Sequence, residues 1–166
     1  MTDITYINTQ EGWLYLCVMI DLHSRMVVGW SMNKRIKADL VCNALRMAMF
    51  KRGMPKGVLV HSDKGSQYCS AKFQNLIKKY QLRSSMSGTG CCYDNAACES
   101  FFGTLKVESV DDENYQTREK AKRSIFEYIE SYYNTKRKHS TINYKTPKEF
   151  EFTMKSDLQK CPKLTG

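Results

Sequence analysis

From Trp13 to Ile20 the chain is an almost unbroken apolar run, the pattern of a strand covered on both faces. Before it, Ile4–Asn8 reads as a short strand and Gly12 as a turn. After it, Asp21-Leu22-His23-Ser24 has turn chemistry and Arg25–Met32 reads as a third strand. Short connections make these three an antiparallel meander. The period then changes. Val41, Ala44, Leu45 and Ala48 recur at helical spacing, which predicts a helix from Ala38 to Lys51 ended by Gly53, Pro55 and Gly57. Val58–His61 reads as a fourth strand, and Ser70 as the cap of a helix with Phe73, Leu76, Ile77 and Tyr80 on its apolar stripe. Leu82–Met86 supplies a fifth strand, and Ser87-Gly88-Thr89-Gly90 a flexible connection.

Two more helices follow. Asp94 or Asn95 caps one that carries Cys98, Phe101, Phe102 and Leu105 on its apolar side. The other runs from Arg118 to Tyr133, with Ala121, Ile125, Tyr128, Ile129 and Tyr132 facing inward. The order predicts an α/β fold: a five-stranded mixed sheet, its first three strands antiparallel, flanked by helices. No repeat or linker interrupts it, so residues 1–150 read as one domain and 151–166 as a tail.

Composition narrows the function. A formal charge of +9 attracts polyanions, DNA or RNA above all. No apolar run is long enough to span a bilayer and the start lacks a signal peptide, so an intracellular protein without a membrane partner is expected. In that setting the seven cysteines read as free thiols. Cys91, Cys92 and Cys98 lack the paired spacing of a zinc site.

Three acids occupy telling places. Asp3 lies at the first strand, Asp63 follows the fourth, and Glu99 lies in the helix after the glycine-rich connection, with thirty-five residues between the last two. Each has an ordinary explanation alone: an exposed terminal acid, a turn residue before Gly65, a first-turn acid favoured by the helix dipole. Seventeen acidic residues also offer many such pairs by chance.

The surrounding residues decide the matter. Thr2-Asp3-Ile4-Thr5-Tyr6, the segment from Val18 to Arg25, and Val28-Gly29-Trp30 resemble bacterial insertion-sequence transposases. So do His61-Ser62-Asp63-Lys64-Gly65-Ser66-Gln67-Tyr68 and the segment Asp94–Lys106. With Tyr133-Asn134, Arg137, His139-Ser140 and Thr146-Pro147, the chain resembles the integrase-like core of the insertion-sequence-three family, in the retroviral integrase superfamily. Lys138 stands where relatives often have proline, and Ile142-Asn143 replaces a common Leu-Gly.

That resemblance implies a ribonuclease H-like fold and a DDE site in which Asp3, Asp63 and Glu99 hold two Mg²⁺ (or Mn²⁺) ions. Such ions, about 4 Å apart, stabilise the attacking and leaving oxygens of an in-line phosphoryl displacement. The implied activity is metal-dependent DNA cleavage and strand transfer on transposon ends and target DNA. It implies a homo-oligomer on DNA, in the bacterial cytoplasm and on the nucleoid when acting. The family's upstream helix-turn-helix region is not among these residues, so end recognition by it is not expected. Two other readings stay open: an inactive DNA-binding remnant, and a ribonuclease H-like nuclease acting on RNA, which the Asp94–Lys106 segment disfavours.

Helical spacing adds candidate DNA contacts. Asn95, Glu99, Gly103 and Lys106 share one face beside the apolar stripe, which places Asn95 and Lys106 near the scissile phosphate and lets Gly103 approach closely. Lys64 beside Asp63, and Arg137 and His139 in the Lys136–His139 cluster, join them as phosphate contacts. His61 either orients a ligand or is structural, and Asp21 is a turn acid. Lys106→Glu is expected to weaken DNA affinity and strand transfer together, checked by salt-dependent binding and joining assays.

Overall fold

A computed structural model describes residues 1–87 and 95–160, the last three by their backbone alone. The meander forms as expected: β1 (Thr2–Ile7), β2 (Leu14–Ile20) and β3 (Val27–Asn33) pair antiparallel in that order. β1 begins two residues earlier than its apolar pattern, because Thr2 and Asp3 pair with Met19 and Val18. The turn at Asp21 closes through its carboxylate, which accepts hydrogen bonds from the His23 and Ser24 amides. Next come α1 (Ala38–Lys51), β4 (Leu59–Ser62), α2 (Ser66–Cys69), α3 (Ala71–Lys79) and β5 (Arg83–Met86). Ser70 caps α3 through the Phe73 amide. The short α2 has no apolar stripe, and its sequence does not announce it.

β4 and β5 pair parallel, as strands joined by a helical crossover do. The single five-stranded sheet expected is corrected here: ladder pairing divides the strands into three and two. β4 and β5 are four residues each and satisfy one another along their length, and β1 runs near β4 without a ladder pair among the described residues.

The run in β2 has its cause in two cores, one on each face of the meander. Leu14, Leu16, Val18 and Ile20 pack with Ile7, Cys98, Phe101, Leu105, Ile125 and Ile129. Cys17 and Met19 pack on the other side with Val28, Leu40, Leu45, Phe73 and Ile77. On that second face α1 lies directly on β3. A Cβ at Gly29 would come 2.3 Å from the Ala44 carbonyl oxygen and 2.7 Å from the Ala48 amide, so only glycine lets helix and strand meet there.

The first face is covered by α4 (Ala96–Leu105) and α5 (Arg118–Glu127), and each widens into a π-helical stretch, Lys106–Val110 and Tyr128–Tyr133. The wider turn corrects one core residue. A regular helix would turn Tyr132 inward, but Tyr133 is buried and Tyr132 exposed, because a π turn advances the register by one residue.

From Asn134 onward the chain is tied back to the rest of the fold at several points among the described residues. Asn134 is buried and pairs with β3 like a strand: its Oδ1 accepts from the Val27 amide at 3.0 Å, and its Nδ2 donates to the Val27 carbonyl at 3.0 Å. A 3₁₀ turn at Ser140–Ile142 ends at Asn143, whose φ of 58° is the left-handed conformation that asparagine tolerates in place of glycine. α6 (Pro147–Lys160) then crosses position 150, where the sequence pattern ended the domain. Its Glu151 accepts from Arg52 and from Ser24, and Arg52 also reaches Asp21 at 2.8 Å.

Gly29→Ala forces backbone against backbone and is expected to cost more than about 3 kcal/mol, read as loss of the cooperative unfolding transition or a steep fall in its denaturant midpoint.

Candidate active site

Strand alternation puts Asp3 on the same face of β1 as Ile7, toward the core that α4 covers. There it is half-buried, and its Oδ1 accepts a hydrogen bond from the Ile4 amide at 2.7 Å. Asp63 follows the last residue of β4, exposed, with its Oδ1 accepting from the Gly65 amide at 3.0 Å. Glu99 projects from the first turn of α4, also exposed.

These three segments, far apart in sequence, meet electrostatically at Asp3. Burial, then the charges of Asp63 and Glu99, push the Asp3 carboxyl up to about 6, although the Ile4 amide opposes the rise. Asp3 also lies close enough to Cys98, beside Glu99, to add to the upward push that burial gives that thiol. The donor chemistry fits a hard divalent cation, which takes carboxylate oxygens and relieves their mutual repulsion. Among the described residues no three His, Cys, Asp or Glu side chains stand close enough to grip an ion together. The acids converge without closing.

The expected DNA contacts fall into two groups. Lys64 is exposed beside Asp63. Asn95 occupies the N-cap of α4 without a capping bond, and its buried Oδ1 has no hydrogen-bond partner among the described residues. Asp94 lies outside the described residues, as do Gly88–Gly90 and Cys91, Cys92 and Cys161. Gly103 is exposed with open space where a Cβ would stand. Lys106 begins the π turn and lies over the Tyr6 ring, 5.4 Å from its centroid, so its ammonium stays at the surface above β1.

The second group faces the protein. The Arg137 Nε donates to Glu108 at 3.0 Å, and Glu108 also accepts from the Tyr128 hydroxyl at 2.8 Å. His139 packs edge-on against Tyr133, with centroids 4.8 Å apart. Burial, with Arg137 and Arg25 nearby, lowers its pKa to about 4, so the ring is neutral at pH 7. His61 bridges β4 to β5, its ring nitrogens 3.0 Å from the Ser85 hydroxyl and 3.1 Å from that of Ser87. Cys17, Cys42, Cys69 and Cys98 are free thiols.

Thr2 and Tyr68, quoted in the motifs for their identity alone, prove to share a buried hydrogen bond of 3.1 Å beneath the acids. Their separation of 66 residues gives no local signal.

The mixed α/β fold that carries these acids is shared with integrase catalytic cores. In a simian T-cell lymphotropic virus intasome in complex with PP2A regulatory subunit B56 gamma, one chain matches 99% of this chain and 55% of its own length, with TM-score 0.72 and 19% identity. The HTLV-2 integrase catalytic core domain in complex with magnesium (dimeric form) matches 90% of both chains, with TM-score 0.58 and 17% identity. The chain belongs to the integrase core domain family: one family model of that description matches residues 1–92 and a second matches residues 99–154. The transposase InsF for insertion sequence IS3A of Escherichia coli (strain K12) is 53% identical over 149 residues, which cover 90% of this chain and 52% of that protein. The transposase for insertion sequence element IS904 of Lactococcus lactis subsp. lactis (strain IL1403) is 50% identical over 149 residues, 90% of this chain and 59% of its own. The chain thus spans about half the length of the curated relatives it matches.

Asp3 keeps its proton up to about pH 6 in the fold, well above the ordinary range of an aspartate. Stability therefore falls as pH rises through that window and stays lower above it. Asp3→Asn keeps the acceptor for Ile4 and removes the charge. Discounted for solvent screening to about 1 kcal/mol, the gain is expected to raise the melting temperature of metal-free protein by about 2–4 °C at pH 7 and not at pH 4.

Proposed function

We propose that this chain is the catalytic core of a DDE transposase that cuts DNA and joins a 3′-hydroxyl end to target DNA. The observation that carries the reading is the meeting of Asp63 and Glu99 at Asp3, in a chain 53% identical over 149 residues to a transposase. Asp3, Asp63 and Glu99 are the residues that would hold Mg²⁺ or Mn²⁺, two ions once DNA is bound. The metal supplies charge stabilisation at the attacking and leaving oxygens.

The chain's own residues do the rest. Asp63 is oriented by the Gly65 amide and Asp3 by the Ile4 amide, each through its Oδ1. Lys64 and Lys106 take phosphates on either side of the acids, and Asn95 contributes its side-chain amide at the head of α4. Arg137 reaches phosphate by exchanging Glu108, and the neutral His139 contributes a hydrogen bond rather than a charge. The excess of positive charge supports DNA as partner. The active form is a homo-oligomer on DNA, working on transposon ends and target in the bacterial cytoplasm and nucleoid. Among the described residues no helix is long and apolar enough to cross a membrane.

The competing reading, a DNA-binding remnant without activity, takes its support from the acids that converge without closing. A pre-cleaved DNA end with a free 3′-hydroxyl, a plasmid target and Mn²⁺ separate the two. The wild-type chain is expected to form joined product, and Asp63→Asn to fall below about 1% of it while binding DNA equally. Binding by both without joining by either would leave the remnant standing.

A further inference from the structure

Asp3 lies on β1 and Asp63 directly after β4, neighbouring strands that no ladder pair joins among the described residues. Something else must hold their spacing. The path runs through the segment after Asp63. The Asp63 carboxylate accepts from the Gly65 amide, and the Gly65 carbonyl accepts from the Tyr68 amide at 2.9 Å, which starts α2. Tyr68 then turns its ring into the core, edge-on to Phe73 at 5.4 Å between centroids. Its hydroxyl ends 3.1 Å from the Thr2 hydroxyl, and Thr2 is the residue before Asp3. Among the described residues this is the hydrogen bond that ties β1 to the β4–α2 segment.

The pair is fully enclosed. Thr2 and Cys17 are 0% exposed and Tyr68 is 1% exposed. The Cys17 thiol completes the group, 3.5 Å from the Thr2 hydroxyl and 3.8 Å from that of Tyr68. An apolar core would take phenylalanine and valine here at no loss of packing. Two hydroxyls facing each other in a dry site specify one relative position of the segments that carry them, which apolar contacts of the same volume do not.

We infer that Tyr68 and Thr2 are positioning residues, whose shared hydrogen bond sets the separation of Asp3 and Asp63 and with it the metal affinity of the site. This rests on the proposed function, and the test keeps the two apart. Mn²⁺ binding to the full chain with a pre-cleaved DNA end is followed by electron paramagnetic resonance, above DNA alone, together with thermal unfolding.

Tyr68→Phe and Thr2→Val are each expected to weaken Mn²⁺ binding about tenfold, as loss of a group that orients a metal ligand does. The double variant is expected to match either single one, since both remove the same bond. Thr2→Ser, which keeps a hydroxyl, stays within about twofold of wild type. Unchanged Mn²⁺ affinity with a lowered melting temperature would reduce the pair to core packing, and additive losses in the double variant would show that the hydroxyls act separately. Either outcome overturns the inference. Asp63→Asn is the control for the underlying reading. If it binds Mn²⁺ as well as wild type does, or if wild type binds none, the proposed function itself fails.

Discussion

Three carboxylates that repel one another cannot assemble themselves; the frame around them must be stable without their help. At Asp3 the repulsion is felt as a carboxyl held up to about 6, with burial the larger cause and Asp63 and Glu99 adding to it. The frame answers with two apolar cores back to back. β2 is their common wall, sending Leu14, Leu16, Val18 and Ile20 one way and Cys17 and Met19 the other. β1 hangs on β2 by its full length, so Asp3 is fixed by the backbone register of the two strands. Glu99 is fixed as firmly, because its neighbour Cys98 and the pair Phe101 and Leu105 belong to the core that β2 walls off. Like charges at the centre are tolerated because apolar burial around them outweighs their repulsion.

How much of this could be read in the chain depends on whether the cause is local. The apolar run of β2, the helical period of α1 and the Ser70 cap are local, and the structure places each where its pattern does. Gly29 was readable only as a motif letter; its reason is the helix lying on it. The inward tyrosine was misplaced by one because nothing in Tyr128–Tyr133 announces a π turn. α6 was missed because Phe150, Phe152 and Met154 alternate at every second residue, and because the helix is held by Glu151 on Arg52 rather than by an apolar stripe. The division of five strands into three and two depends on pairing distances, which composition does not encode.

For the acids the balance is similar. Asp63 was legible because a short strand and a glycine turn mark it, and the Gly65 amide is the partner that such a turn supplies. The reach of Asp63 and Glu99 to Asp3 was legible only through family resemblance, since sequence distance says nothing about electrostatic distance. The cluster Lys136–His139 shows the limit of counting charges. Arg137 is engaged by Glu108, itself held by Tyr128, and His139 is kept neutral by burial and by its arginine neighbours. A basic stretch of sequence is there partly an internal brace.

The residue just before that brace bears on the site from the far edge of the sheet. Asn134 bonds both polar backbone groups of Val27, so the start of β3 is completed by a side chain 107 residues away. β3 in turn sets β2, and β2 sets the register of Asp3. Arg52 closes a second link, joining the end of α1 to Asp21 after β2 and to Glu151 on α6. The last third of the chain therefore does not merely follow the acids in sequence. It fixes β3, the edge of the meander opposite the strand that carries Asp3, and the order of the chain matches that mechanical role: first acid, second acid, third acid, then the clamp on the far edge of the sheet.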